Sequence, residues 1–153
     1  MADTFEFKLV SPEQVLRTSS ESHVILPDHD GGQMGIKPGH APTIAQLGVG
    51  VIIINPQADD QPDTSETSYI FITGGFGDIG PNHCTIMAEV ATPVASLDKP
   101  ALEEEVESLQ EAITKTDALA DQAPYHKSLK IAQAKIDAIN DYQRVSAAEP
   151  AAA

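Results

Sequence analysis

The sequence predicts an all-β sandwich followed by an antiparallel two-helix hairpin. Three observations carry that prediction. Short segments rich in Val, Ile, Phe and Thr recur at spacings of roughly 8 to 12 residues with Gly/Pro turns between them, the rhythm of a sandwich and not of alternating β-α units. The composition changes after Pro93, where apolar residues begin to return at helical spacing. Between these parts of the argument stands residues 31 to 50, G-G-Q-M-G-I-K-P-G-H-A-P-T-I-A-Q-L-G-V-G, a glycine-dense stretch in which Pro38 fixes one dihedral and removes a donor. It reads as a shaped loop at the rim of a β structure. The expected boundaries are a sandwich over 1 to 94, a helical hairpin over 95 to 146 and a frayed tail over 147 to 153.

Taken in order, Phe5, Phe7 and Leu9 alternate with Glu6 and Lys8 as a half-buried strand that Ser11 and Pro12 end. A second extended stretch passes Val15 and Leu16, and Val24, Ile25 and Leu26 lead to Pro27. Asp28 to Gly32 is a turn. Val49, Val51 and Ile53 occupy one face of the next strand while Gly50, Ile52 and Ile54 occupy the other, so burial is expected on both sides. Residues 55 to 67, N-P-Q-A-D-D-Q-P-D-T-S-E-T, are too polar to be ordered by packing and read as a long solvated hairpin loop. Tyr69, Phe71 and Thr73 alternate with Ile70 and Ile72 as a further strand. Gly74, Gly75 and Gly77 mark a bend or bulge where another backbone approaches closely. Gly80-Pro81-Asn82 turns, and Cys84 to Ala88 with Ala91 to Val94 complete the β portion.

Ser96 or Asp98 is the expected N-cap of the first helix, with Pro100 in its first turn. Leu102, Val106, Leu109 and Ile113 form its apolar stripe, and Glu103, Glu104, Glu105, Glu107 and Glu111 surround them. Thr116 to Pro124 connects to a second helix that starts near Pro124 and carries Leu129, Ala132, Ile136 and Ile139 on one stripe. Alanines at 132, 134 and 138 permit close approach, which favours an antiparallel pair.

Composition excludes several functions. The chain has 153 residues, 41% of them hydrophobic and 5% aromatic, with no tryptophan, so the core must be mostly aliphatic. A formal net charge of -14 argues against nucleic acid and anionic bilayers as partners. No run approaches the roughly 18 apolar residues of a membrane span, so direct membrane insertion is not expected. The single cysteine, Cys84, forms no internal disulfide and reads as a small core hydrophobe. His23, His29, His40, His83 and His126 are scattered without ligand spacing, and Asp59, Asp60 and Asp63 lack the spacing and central glycine of a calcium loop. Neither a G-x-S-x-G elbow nor a phosphate loop is present. No catalytic residue, metal or cofactor is expected.

The string G-Q-M-G-I-K-P-G-H-A-P-T resembles the G-x-x-G-I-x-P-G-H-A-P signature of the epsilon subunit of bacterial F-type ATP synthases, called delta in mitochondria. A second block, F-I-T-G-G-F-G-D-I-G-P-N-H-C-T-I-M-A-E from Phe71 to Glu89, is similar to the G-G-F-x-D-I-x-P-x-x-C-T-L-L-A-E block of the alphaproteobacterial members. With the opening D-T-F-E-F-K-L-V-S-P-E and the closing hairpin, the likeness covers nearly the whole chain in order. It implies a non-catalytic central-stalk rotor subunit that couples the gamma subunit to the proteolipid c-ring. It implies ring contact by Asp30, Gly31, Gly32, Gln33, Met34 and Gly35, with Gln33 and Met34 at the loop tip. Contact with gamma is implied for Ser11, His40, Ala41, Pro42, Thr43 and Ile44. It leaves the beta subunit open as a further partner through the hairpin.

Some members bind ATP through an L-D-x-x-R-A motif; here Leu97-Asp98-Lys99-Pro100-Ala101-Leu102 aligns, and Asp98 is a partial match because Ala101 replaces the arginine. Without guanidinium partners for the phosphates, no nucleotide site is expected. The last helix has only Lys127, Lys130, Lys135 and Arg144 among acids, so inhibition of ATP hydrolysis is expected to be weak or absent. The resemblance implies a peripheral position at the cytoplasmic face of the bacterial inner membrane, with the matrix face of the mitochondrial inner membrane as the alternative. The start at Met1 without a presequence and the alphaproteobacterial block favour the bacterium. The competing reading is a free-standing β-sandwich binding or adaptor module, against which the lack of tryptophan counts.

Overall fold

The computed structural model describes residues 4–54, 67–116 and 119–148. The expected solvated loop, all but Thr67, and its Asp59, Asp60 and Asp63 lie outside the described residues, as does the expected tail beyond 148. The chain divides into two compact units, Met1–Pro93 and Val94–Ala153.

Among the described residues the first unit has eight strands: β1 Phe5–Val10, β2 Val15–Glu21, β3 Val24–Pro27, β4 Gln33–Ile36, β5 Thr43–Ile54, β6 Ser68–Ile79, β7 His83–Ala88 and β8 Ala91–Pro93. Hydrogen bonding runs β2-β1-β7-β6-β5-β3-β4, with β8 on β6. All pairs are antiparallel except β1 with β7. The sandwich arises because β5 and β6 are long enough to serve two layers. They pair without a register shift from Thr43↔Ile79 to Ile54↔Ser68. The Gly75–Ile79 half of β6 pairs with β7, and the Ile70–Ile72 half pairs with β8.

Midway, this ribbon changes the face it turns inward. Ala45, Leu47 and Ile79 are buried at odd positions, whereas Ile52, Ile54, Ile70 and Ile72 are buried at even ones, and all belong to one core. Strand side chains alternate by face, so the phase must slip between Leu47 and Ile52. Glycine occupies the slip. A Cβ at Gly48 would stand 2.6 Å from the Asp28 carbonyl oxygen, and one at Gly75 would collide with the Met87 carbonyl oxygen. The bend expected at Gly74–Gly75 is therefore real and is made by close approach, without a bulge in the β5–β6 ladder. Phe71, on the other face of β6 from Ile70 and Ile72, is buried as well.

Phe5, Phe7 and Leu9 from β1 meet Cys84, Ile86 and Ala88 from β7 and Val24, Leu26 and Ile36 from β3 and β4 in that core. Arg17 on β2 donates to Ser68 Oγ at 3.2 Å and to Glu21 Oε1 at 3.4 Å, tying an edge strand to the start of β6. Two strand boundaries differ from expectation. β5 begins at Thr43, six positions before Val49, because Ala45 and Leu47 already alternate inward. β4 takes up Gln33–Ile36, which the glycine density had read as loop.

In the second unit a 3-10 turn, Val94–Ser96, leads to α1 Lys99–Lys115 and α2 Leu119–Ala148. Asp98 is the N-cap residue, without a side-chain cap bond, and Pro100 falls in the first turn. The helices are antiparallel. Lys99 Nζ at the start of α1 donates to Asn140 Oδ1 near the end of α2 at 2.8 Å. At the other end Gln122 Nε2 donates to the Ile113 and Thr116 carbonyls at 3.2 and 2.6 Å, satisfying acceptors that a helix end leaves open. The second helix starts before Pro124, not near it, and Pro124 lies inside its second turn. There its missing N–H costs one ladder bond, and Gln122 anchors the preceding turn to α1. The helix also runs to Ala148, into the segment expected to fray. Leu102, Ala132, Ala138 and Ile139 are buried, and the five glutamates of α1 are exposed.

Gly75→Ala drives a Cβ into main chain that cannot rotate away, so urea unfolding should show a loss of about 1 to 3 kcal/mol. An unchanged midpoint would mean that the strand crossing there is loose.

Candidate functional site

The residues implied by resemblance fall into two segments, and the structure places each. β3 and β4 form a hairpin in register from Val24↔Ile36 to Pro27↔Gln33. Its turn is closed by Asp28 N donating to the Gly32 carbonyl at 2.9 Å and Gly31 N to the Asp28 carbonyl at 3.1 Å. The tip is thus at His29 to Gly31, and Gln33 and Met34 are strand residues, contrary to the expectation that they form the tip. The physical reason is alternation: Ile36 is fully buried and Met34 packs against the core, which commits both to a ladder with β3. Asp30, Gly31, Gly32, Gln33 and Gly35 are exposed, and Met34 is half-buried.

His23 stands beside this hairpin. Its Nε2 lies 3.5 Å from where a Cβ on Gly35 would be. Burial first, and the Lys37 ammonium second, hold its pKa below the ordinary 6.5.

The second segment links β4 to β5 and reaches the turn between β6 and β7. His40 N donates to the Lys37 carbonyl at 3.2 Å and Gly39 N to the Pro81 carbonyl at 2.9 Å. The Ala41 carbonyl accepts from His40 Nδ1 at 2.7 Å and from Thr43 Oγ1 at 3.0 Å. These bonds fix the chain before β5, leaving Ala41 and Pro42 exposed and Ile44 74% exposed. Ser11 closes the β1–β2 turn, its N–H donating to the Gln14 carbonyl at 2.9 Å and its Oγ accepting from Gln14 N at 3.2 Å.

Ser11 and Ile44 are not brought together. Ser11 just after β1 and Ile44 on β5 lie at opposite sides of one layer, with β7 and β6 between. What fills the gap is an outward-facing cross-strand row, Val15–Val10–Met87–Phe76–Gln46, read from the paired positions. Phe76 is 53% exposed, Met87 51% and Val15 56%. The adjacent row, Thr18–Lys8–Thr85–Asp78–Ile44, is mostly polar. Lys8 pairs with Glu6 at 3.7 Å and His83 with Asp78 at 3.4 Å along this border. An open apolar band with a charged rim is the composition of an interaction surface. Sequence reasoning missed Phe76 and Met87. The signal was available in the phase: Cys84, Ile86 and Ala88 inward forces Met87 outward, and Ile79 inward forces Phe76 outward.

The two segments are joined at Gln46. Its carbonyl accepts from His29 N at 3.3 Å, and Asp28 bridges to Leu47 beside it. The hairpin tip therefore hangs on the same strand that ends the apolar row.

Chemistry of other kinds has little support in this geometry. Cys84 is fully buried, and burial, with the Asp78 carboxylate adding, pushes its thiol from 9.0 up to about 12, so it stays protonated. Among the described residues no group of three or more His, Cys, Asp or Glu side chains is placed to hold a metal ion. No described helix is long and apolar enough to cross a membrane.

A β-sandwich with an open apolar row, followed by a helical hairpin, has the features of a binding module. Comparison with known proteins narrows the class. The family model of the ATP synthase delta/epsilon chain β-sandwich domain matches residues 4–94. An ATP synthase epsilon chain from Rhodospirillum centenum is 36% identical over 151 residues, covering 97% of this chain and 100% of that one. One from Sinorhizobium fredii is 38% identical over 107 residues, covering 70% and 75%. Among solved structures, a chain of the Euglena gracilis mitochondrial ATP synthase OSCP/F1/c-ring complex superposes with a TM-score of 0.75 at 18% identity, over 89% of this chain and 81% of that one. A chain of the Tetrahymena thermophila mitochondrial ATP synthase central stalk/c-ring gives 0.55 at 16%, over 90% and 97%. The chain belongs to the ATP synthase delta/epsilon family, and within it to the epsilon chains. It is a non-catalytic subunit of that membrane-associated complex.

Because the folded pKa of His23 is depressed, its neutral form contributes stability that is present above pH 6.5 and is lost as pH falls through the folded value. His23→Gln should therefore flatten the decline in urea midpoint between about pH 7 and pH 5. An unaltered slope would remove His23 as a source of acid sensitivity.

Proposed function

We propose that this chain is the central-stalk subunit that fastens the gamma subunit to the proteolipid c-ring, so that rotation of the ring reaches the catalytic head. The observation that carries the reading is the open apolar row Val10–Met87–Phe76, lying between the two segments, Ser11 and His40 to Ile44, at which gamma contact is implied. Gamma covers this row and its charged rim. The hairpin tip, with Asp30, Gly31, Gly32 and Gln33 exposed, meets polar loops of the ring, and Met34 and Gly35 support it from β4. The bonds from Asp28 and His29 to β5 favour the two contacts moving as one body. The chain sits peripherally at the cytoplasmic face of the bacterial inner membrane, held there through the complex.

The sandwich, residues 1 to 94, is the rotor-binding part, and the hairpin, residues 95 to 146, is its appendage. A contact of the hairpin with beta is weak, since exposed ion pairs made by the few cations of α2 among its acids would each add little. Asp98 is exposed and makes no side-chain cap bond, and Ala101 beside it offers no phosphate partner, so the hairpin takes no nucleotide.

Phe76→Glu puts a charge at the centre of the band without touching the core, and gamma affinity should fall about 100-fold, or roughly 2.7 kcal/mol. Unchanged affinity by titration calorimetry would remove the docking face. Cysteine at position 30 or 33 should cross-link to a cysteine in a ring loop within the assembled enzyme, and failure of both, with gamma binding intact, would detach the hairpin from the ring. Adding the full chain to an epsilon-free enzyme should change ATP hydrolysis by less than about twofold, in keeping with weak surface pairing. Strong suppression, relieved by deleting residues 101 to 153, is the contrary result.

A further inference from the structure

The chain has three methionines and one cysteine, and among the described residues Met34, Met87 and Cys84 differ in exposure. Cys84 is fully buried and Met34 is half-buried against the core, whereas Met87 is 51% exposed. Met87 also occupies a particular place. It pairs across β7 and β6 with Phe76 and across β7 and β1 with Val10, so its thioether lies in the middle of the open apolar row. Its outward position means that a change there leaves the core packing of Cys84, Ile86 and Ala88 untouched.

We propose that Met87 is an oxidative modification site: in the unassembled subunit a hydroperoxide converts its thioether to the sulfoxide, and the sulfoxide prevents docking on this face. This rests on the proposed docking role of the row. The step balances with the peroxide alone. A sulfur lone pair attacks the distal peroxide oxygen, the S–O bond forms as the O–O bond breaks, and the departing oxygen takes up the hydroperoxide proton to leave as water or an alcohol. Sulfur loses two electrons and the peroxide gains them. The product is a strong acceptor on what had been an apolar, polarisable side chain. In free solution water satisfies it. Under a partner the Phe76 and Val10 side chains beside it offer no donor, so docking would strip the sulfoxide of its hydrogen bonds. Assembly covers Met87 and ends its exposure, so the device discriminates between free and assembled copies. A dithiol-dependent methionine sulfoxide reductase returns the side chain to its original state.

The test uses the full chain and hydrogen peroxide. After graded exposure, peptide mass spectrometry should find one added oxygen at Met87 well before Met34, and gamma affinity should fall by about tenfold or more in step with Met87 oxidation. Met87→Leu, nearly equal in volume, should show the same gamma affinity before and after peroxide, each compared with its own untreated sample. Met34→Leu should remain sensitive. Oxidation of Met34 as fast as Met87, or full affinity of the Met87 sulfoxide form, would overturn the inference while leaving the docking role in place. Failure of the untreated chain to bind gamma would instead remove the docking role, and the inference with it.

Discussion

The approach of Asp28 onto β5 at Gly48 is the constraint from which the rest follows. β3 pairs with the far end of β5 through Val24 and Ile25, then meets it again at Leu47 through Asp28, taking three steps where β5 takes six. A ladder cannot absorb that difference and stay flat, so β5 bows, and the space for the bow exists only because position 48 has no side chain. The face-changing ribbon, the single core drawn from both layers and the seating of the hairpin tip are all consequences of this crossing. Gly75 plays the matching part on β6, against Met87.

Function then depends on how the outer surface of one layer is used. With so few aromatic side chains, the open Phe76 in an apolar row is the feature of that layer on which the proposed docking rests. The polar border formed by Glu6, Lys8, Asp78 and His83 adds little energy, since such exposed pairs are each worth about 0 to 1 kcal/mol. In the proposed docking its value would lie in direction, because a shifted partner would set charge against the apolar band.

Much of this architecture was legible in the sequence, for a physical reason. Strand alternation at Phe5 to Leu9 and at Cys84 to Ala88, and the helical stripe from Leu102 to Ile113, are imposed by burial, and burial leaves a periodic trace. The errors fell where two signals conflicted. Glycine density at 31 to 35 outweighed the alternation that puts Met34 and Ile36 inward, so β4 was read as loop. The sequence places the start of the second helix near Pro124; the Gln122 bonds in the turn before it join residues nine and six positions apart and leave no periodic trace. Phe76 was hidden inside a glycine run, and its outward phase becomes visible only once Ile79 is known to point in. The family likeness implies contact at Ser11 and at His40 to Ile44, but only the strand order reveals that Met87 and Phe76 lie between them.

The joint between the hairpin and the sheet face is made of main-chain atoms, His29 N–H to the Gln46 carbonyl and the bridge from Asp28 to Leu47. A connection of that kind does not depend on which side chains stand at positions 29 or 46. Side-chain substitution at either position can therefore alter the exposed surface there while the main-chain joint between hairpin and sheet persists.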